Sequence, residues 1–242
     1  MAYGLMAEEK TEEQEGGTTP MGKITAEDAD FYRDAAAIYR FMGEALLHEM
    51  TEAQIDIFAE SDFDYPDDGS EVAEGYRWLR TYLKRRGMNA RQDLAVDYAR
   101  VFLAAGIYDG DTAAPYESVY LSDAKILMQE SRDEVVELYR RYGFAVQPEL
   151  QIPEDHAGFE LEFAALLCDM IADAATSGTD CTDDLRCQLE FLECHLLKWL
   201  PALQKRVDSY AELRFYPALM RILIGALEDN RLMDKQLLAA AE

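Results

Sequence analysis

From residue 31 onward the apolar residues return every three or four positions, and no stretch of any length alternates apolar and polar as a half-buried strand would. Phe31, Ala35, Ile38, Met42 and Ala45 set the pattern, with Thr25 and Asp28 ahead of them in the spacing of a helix N-cap. That periodicity predicts helices from about Ile24 to His48, Glu71 to Arg86, Arg91 to Ala104, Ser118 to Tyr142, Asp155 to Ala175 and Asp183 to Val207. A last segment from Tyr210 to the end reads as two helical pieces. Gly87, Gly106 and Gly143 supply stops. The expected fold is all-α, a compact multi-helix bundle.

A chain of 242 residues, 49% hydrophobic, is long enough for one structural domain with a full core. Within it, residues 1–22 read as a disordered acidic tail and residues 23–143 as an N-terminal helical part. Residues 144–154 read as a hinge loop carrying Pro148 and Pro153, and residues 155–242 as a C-terminal helical part. The net charge is −25, and the five Glu and one Lys of residues 1–22 account for −4 of it, leaving −21 on the remainder. A field of that sign repels nucleic acid and anionic lipid and favours a basic partner, although acidic surfaces also serve solubility alone. No apolar run reaches the roughly 20 residues of a membrane span, and the N-terminus has no secretory pattern, so a cytoplasmic location is expected. Cys168, Cys181, Cys187 and Cys194 form neither a disulfide framework nor a C-x-x-C metal pattern, so no metal site and no resident cofactor are expected.

Only three histidines occur, His48, His156 and His195, and His156 stands beside Asp155 directly after a proline. A catalytic dyad is disfavoured, because adjacent helix residues point about 100° apart and no nucleophile signature accompanies them. The run GTTPMGK, with Gly17, Gly22 and Lys23, approximates a phosphate-binding loop but has Ile24 in place of Ser or Thr and no strand before it. Tyr98, Val101 and Phe102 share one helix face, with Pro115 and Tyr116 shortly after. Periodicity makes them core residues first, and the wall of an apolar peptide groove second.

In order, YARVF (98–102), APYESVY (114–120), QIPEDHAGFELEF (151–163), FLECHLLKWLPALQKRV (191–207) and FYPAL (215–219) resemble the TorD/DmsD family of redox-enzyme maturation chaperones. The resemblance spans about Phe31 to Leu227, and the signature Gln151, Pro153, Asp155, His156 is its most specific part. It implies an all-α cytoplasmic protein, not an enzyme. Such a protein binds the twin-arginine signal peptide of a molybdenum oxidoreductase in its apo form, delays Tat export and assists molybdopterin insertion, the cofactor being in transit. It further implies a monomer or a dimer that exchanges helices through the hinge at Gln151 and Pro153. A peptide surface would be lined by Tyr98, Val101, Phe102, Pro115, Tyr116, Asp155 and His156. Gln151 stands where the family has an acid, and Tyr98 and Tyr116 where relatives often have Trp, which would change peptide preference.

A leader with two guanidinium groups and an apolar stretch calls for carboxylates beside aromatic surface, and Glu117, Glu154 and Asp155 are the expected partners of the arginines. Asp155 is equally placed to cap a helix, and His156 to report pH or to donate to a peptide carbonyl. The alternative function is a guanine-nucleotide-binding switch or an enzyme of all-α fold.

Overall fold

The computed structural model describes residues 24–61, 63–103, 112–122 and 125–241. The acidic tail, the phosphate-loop near-match up to Lys23 and most of the loop after α4 fall outside the described residues.

Ten α-helices occur among the described residues: α1 (Ala26–Leu47), α2 (Glu52–Glu60), α3 (Glu71–Arg85), α4 (Ala90–Phe102), α5 (Glu117–Leu121), α6 (Glu130–Arg141), α7 (Ala157–Ser177), α8 (Thr182–Phe191), α9 (Leu197–Tyr210) and α10 (Phe215–Ala241). A 3₁₀ turn at Pro148–Leu150 interrupts the connection before α7, and a π-helical turn at Leu192–Leu196 joins α8 to α9. The all-α expectation holds. Thr25 caps α1 as the spacing predicted: its hydroxyl accepts from the Asp28 amide at 3.2 Å, and the Asp28 carboxylate accepts from the Thr25 amide at 2.7 Å.

Two of the expected helices differ from those observed, and one helix is additional. The helix from Ser118 to Tyr142 is two helices, α5 and α6, because the chain leaves helical geometry after Leu121 and passes through left-handed backbone at Lys125 and Met128, with φ of 51° and 61°. The segment after Tyr210 is one long helix rather than two pieces. Gly225 inside α10 lets it lie directly on Val72 of α3, so this glycine is a point of close approach and not a stop. A short α2, capped by Thr51 and Gln54 in a box like that of α1, was not foreseen.

The core forms where α1 lies along α7 and α3 along α10, so helices on both sides of the 144–154 connection share it. Trp199, Tyr32, Tyr39, Tyr139 and Tyr216 are its largest fully buried members, followed by Phe159, Phe163 and Phe191. Where α1 passes the first turn of α7, Gly43 meets Gly158: a Cβ on Gly43 would stand 2.9 Å from the Gly158 carbonyl oxygen, and a Cβ on Gly158 would strike Leu47. Any side chain at that crossing would force the helices apart.

A second buried layer is polar. Tyr32 Oη donates to Asp234 Oδ1 at 2.5 Å. Tyr39 Oη and Gln188 Nε2 both donate to Asn230 Oδ1 at 3.0 Å, and Asn230 Nδ2 donates to Asp234 at 3.1 Å. This network fastens the C-terminal half of α10 to α1 and α8. No helix among the described residues is long and apolar enough to cross a membrane.

Candidate functional site

The Pro-Glu-Asp-His corner stands where the 144–154 connection enters α7. The 3₁₀ turn ends on Gln151 in left-handed backbone (φ 54°, ψ 30°), the His156 amide donates to the Pro153 carbonyl at 3.2 Å, and α7 then starts at Ala157. Asp155 was expected to open this helix, yet the N-cap is His156. Its Nδ1 accepts from the Gly158 amide at 3.0 Å, so the ring is neutral with its proton on Nε2. Burial and the nearby His48 push the His156 pKa down to about 3. A ring in that state does not report pH near neutrality.

Asp155 caps a different helix. Its Oδ2 accepts from the Ser118 amide at 2.9 Å and its carbonyl from the Glu117 amide at 3.0 Å, so it holds the N-terminus of α5. The Ala157 amide in turn donates to the Pro115 carbonyl at 2.8 Å, and Tyr116 pairs with His156 as an isolated antiparallel bridge. The segment from Pro115 to Ser118 is therefore stitched to the corner across about 40 residues of sequence. The Tyr116 ring, half-buried, stands edge-on to His156 at 4.9 Å. Burial and the Asp155 charge raise its phenol.

Each expected arginine partner is already engaged. Glu154 Oε2 accepts from Arg132 of α6, at 2.8 Å from Nε and 2.7 Å from Nη2, with the carboxylate about 29% exposed. Glu117 is fully buried and meets His195 Nδ1 at 3.0 and 3.2 Å. Burial raises the Glu117 pKa, and the His195 contact opposes the rise. Asp155 is fully buried, and its second oxygen has no partner among the described residues. Of the three, only Glu154 faces solvent.

The aromatic wall is also inside. Tyr98 is buried with its hydroxyl donating to the Leu46 carbonyl at 3.0 Å, Val101 is buried, and Phe102 is buried beside Tyr216 and α1. The core reading of this stripe is what the conformation presents. Burial, and then the neighbouring Tyr116, raise the Tyr98 phenol. Pro115 is buried, Pro153 is half-buried and Gln151 is exposed. The accessible part of the candidate site is thus Tyr116, Gln151, Pro153 and Glu154. The remaining residues are buried.

Sequence reasoning missed a second tier beneath the corner. Glu117 reaches His195 on the π-helical turn, a distortion frequent at functional positions. One turn further on, Trp199 Nε1 donates to Glu160 Oε2 at 3.1 Å. Burial and the carboxylates of Glu117 and Asp155 push the Glu160 carboxyl well above its ordinary range. The signal was present as His195 and Trp199 four residues apart, one helical face, but its partners lie far away in the chain. The cysteines do not join it: Cys168 contacts Gln188 and Asn230 in the polar layer, Cys194 is exposed, and all four are unpaired.

The family model described as nitrate reductase delta subunit matches residues 65–205, more than half of the chain and the whole of the corner. Relatives named chaperone protein TorD include one from Vibrio cholerae serotype O1, 31% identical over 143 residues, a match covering 59% of this chain and 63% of the relative. One from Aliivibrio salmonicida is 25% identical over 82% of this chain and 93% of its own length, and one from Photobacterium profundum 26% identical over 81% and 91%.

Proposed function

This chain belongs to the nitrate reductase delta subunit family, the TorD/DmsD group, and from that premise we propose that it is a chaperone for maturation of a molybdenum-dependent oxidoreductase. In this reading it acts in the cytoplasm, binds the twin-arginine leader of the apo enzyme, holds back its export and attends insertion of the molybdopterin cofactor. The cofactor would be cargo.

The observation that carries the reading is the corner itself. One solvent-facing carboxylate, Glu154, and one half-exposed aromatic ring, Tyr116, stand on a joint held rigid by Asp155, His156 and Pro115, in a protein of net charge −25. That is the chemistry a basic, apolar peptide requires. The hold of Glu154 on Arg132 does not block it. Both bonds converge on Oε2, short of the parallel pairing through two oxygens that makes arginine and carboxylate strong, and the pair is partly exposed. Such pairs contribute about 0–1 kcal/mol, so an incoming guanidinium can take Arg132's place. Tyr98, Val101 and Phe102 then support the site from the core.

Calorimetric titration of the full chain with a synthetic twin-arginine leader tests the reading. Binding is expected, and it should weaken when Lys-Lys replaces Arg-Arg or when Tyr116→Ala is introduced. Affinity that ignores both changes overturns it.

A further inference from the structure

The connection between α5 and α6 holds the one place among the described residues where three large apolar side chains in a row are exposed: Ile126 at 55%, Leu127 at 42% and Met128 at 59%. Its backbone is left-handed at Lys125 and Met128, a conformation that residues with side chains adopt at a cost. Both ends of the connection are tied to the Pro-Glu-Asp-His corner, α5 through the Ser118 amide on Asp155 and α6 through Arg132 on Glu154. Gln129, at the end of the apolar run, lies three residues before Arg132, so the run ends roughly one helical turn of about 5.4 Å along the backbone from the residue that pairs with Glu154. Glu130, Asp133 and Glu134 border it as exposed carboxylates.

We propose that Ile126, Leu127 and Met128 are the landing surface for the apolar stretch of the leader, whose arginines engage Glu154. The inference rests on the leader-binding reading above and adds where the apolar part goes. An extended peptide advances roughly 3.3 Å per residue, so the residues a few positions beyond the arginines reach this surface. Charge decides the occupant. A second copy of this chain would bring its own Glu130, Asp133 and Glu134 and a net charge of −25 against the same acids, whereas an apolar segment led by arginines meets them with opposite sign.

The test uses the full chain and two synthetic probes: Arg-Arg followed by eight leucines and alanines, and a short peptide ending at Arg-Arg. Wild type should bind the long probe at least tenfold more tightly than the short one, and tenfold is about 1.4 kcal/mol. The triple variant I126S/L127S/M128S, whose changes are all at exposed positions, should melt like wild type, bind the short probe unchanged and lose the tenfold preference. If the variant keeps the preference while wild type binds both probes, the landing surface falls and the leader-binding reading stands. If wild type binds neither probe, both fall together. If the variant alters only self-association in light scattering, the surface is a contact between copies and the proposal is overturned.

Discussion

Replacing Arg132 by Gln should strengthen, not weaken, capture of a twin-arginine leader. In the free protein Arg132 occupies Glu154 through two bonds of 2.7 and 2.8 Å to a single oxygen, with side chains 23% and 29% exposed. A partly exposed pair of this kind is worth about 0.2–1 kcal/mol, the better-ordered ones at the upper end. A client arginine must displace that interaction before it gains its own. Removing it returns up to about 1 kcal/mol, or about a fivefold tighter dissociation constant, with RT near 0.6 kcal/mol. The gain should be largest at low ionic strength and fade as salt screens the site. Titration of R132Q and wild type with the same leader peptide, at low and high salt, measures it, and Glu154→Gln provides the opposite sign. Weaker binding by R132Q, with an unchanged melting temperature, would refute the exchange and make Arg132 a support of the site instead.

Further outcomes follow from the joint beneath. Asp155→Ala deletes a buried charged cap and strands the Ser118 amide, which should cost about 2 kcal/mol, seen as a drop of several degrees in melting temperature. No change in stability would deny that Asp155 holds α5. Gly158→Ala puts a Cβ into Leu47 and within 2.9 Å of the Gly43 carbonyl oxygen, and should cost about 1–3 kcal/mol by overpacking. A neutral result in urea unfolding would mean that α1 and α7 separate freely. Asp234 is held up to about 7 by burial, against the Tyr32 bond that lowers it. Its folded pKa thus exceeds its unfolded value, so its contribution is complete in acid and is lost as pH rises through about 7, at most about 1.4 kcal/mol per pH unit. Asp234→Asn should therefore look progressively better relative to wild type between pH 4 and 7 in urea unfolding. A difference that stays flat across that window rejects the assignment.

What the sequence made legible was what short-range pattern controls. The α1 cap was visible in Thr25 and Asp28, and the end of α3 in the arginines before Gly87, because caps and stops act within a turn. The same logic was available for α2 in Thr51 and Gln54, but its nine residues bury only Ile55 and leave too little period to detect. The break between α5 and α6 carries neither Gly nor Pro, so nothing local announces left-handed backbone at Lys125 and Met128. At the candidate site, the break in the chain at Pro153 to His156 was legible in the sequence, but the burial of the residues around it was not. A tyrosine stripe at helical spacing reads alike whether it faces a groove or, as Tyr98 does, the Leu46 carbonyl. Nor does a carboxylate's sequence neighbourhood reveal that Glu154 is met by Arg132 or Glu117 by His195, since those partners come from 22 and 78 residues away.

Hydrogen exchange of the full chain with and without a saturating twin-arginine leader tests the central claim most directly, because it locates the contact without altering a residue. The account predicts slowed exchange over residues 116–132 and 151–158, where α5, the connection to α6 and the corner meet, with the α3 and α10 face unchanged. Protection confined to α3 and α10, or no change anywhere at saturation, would contradict it.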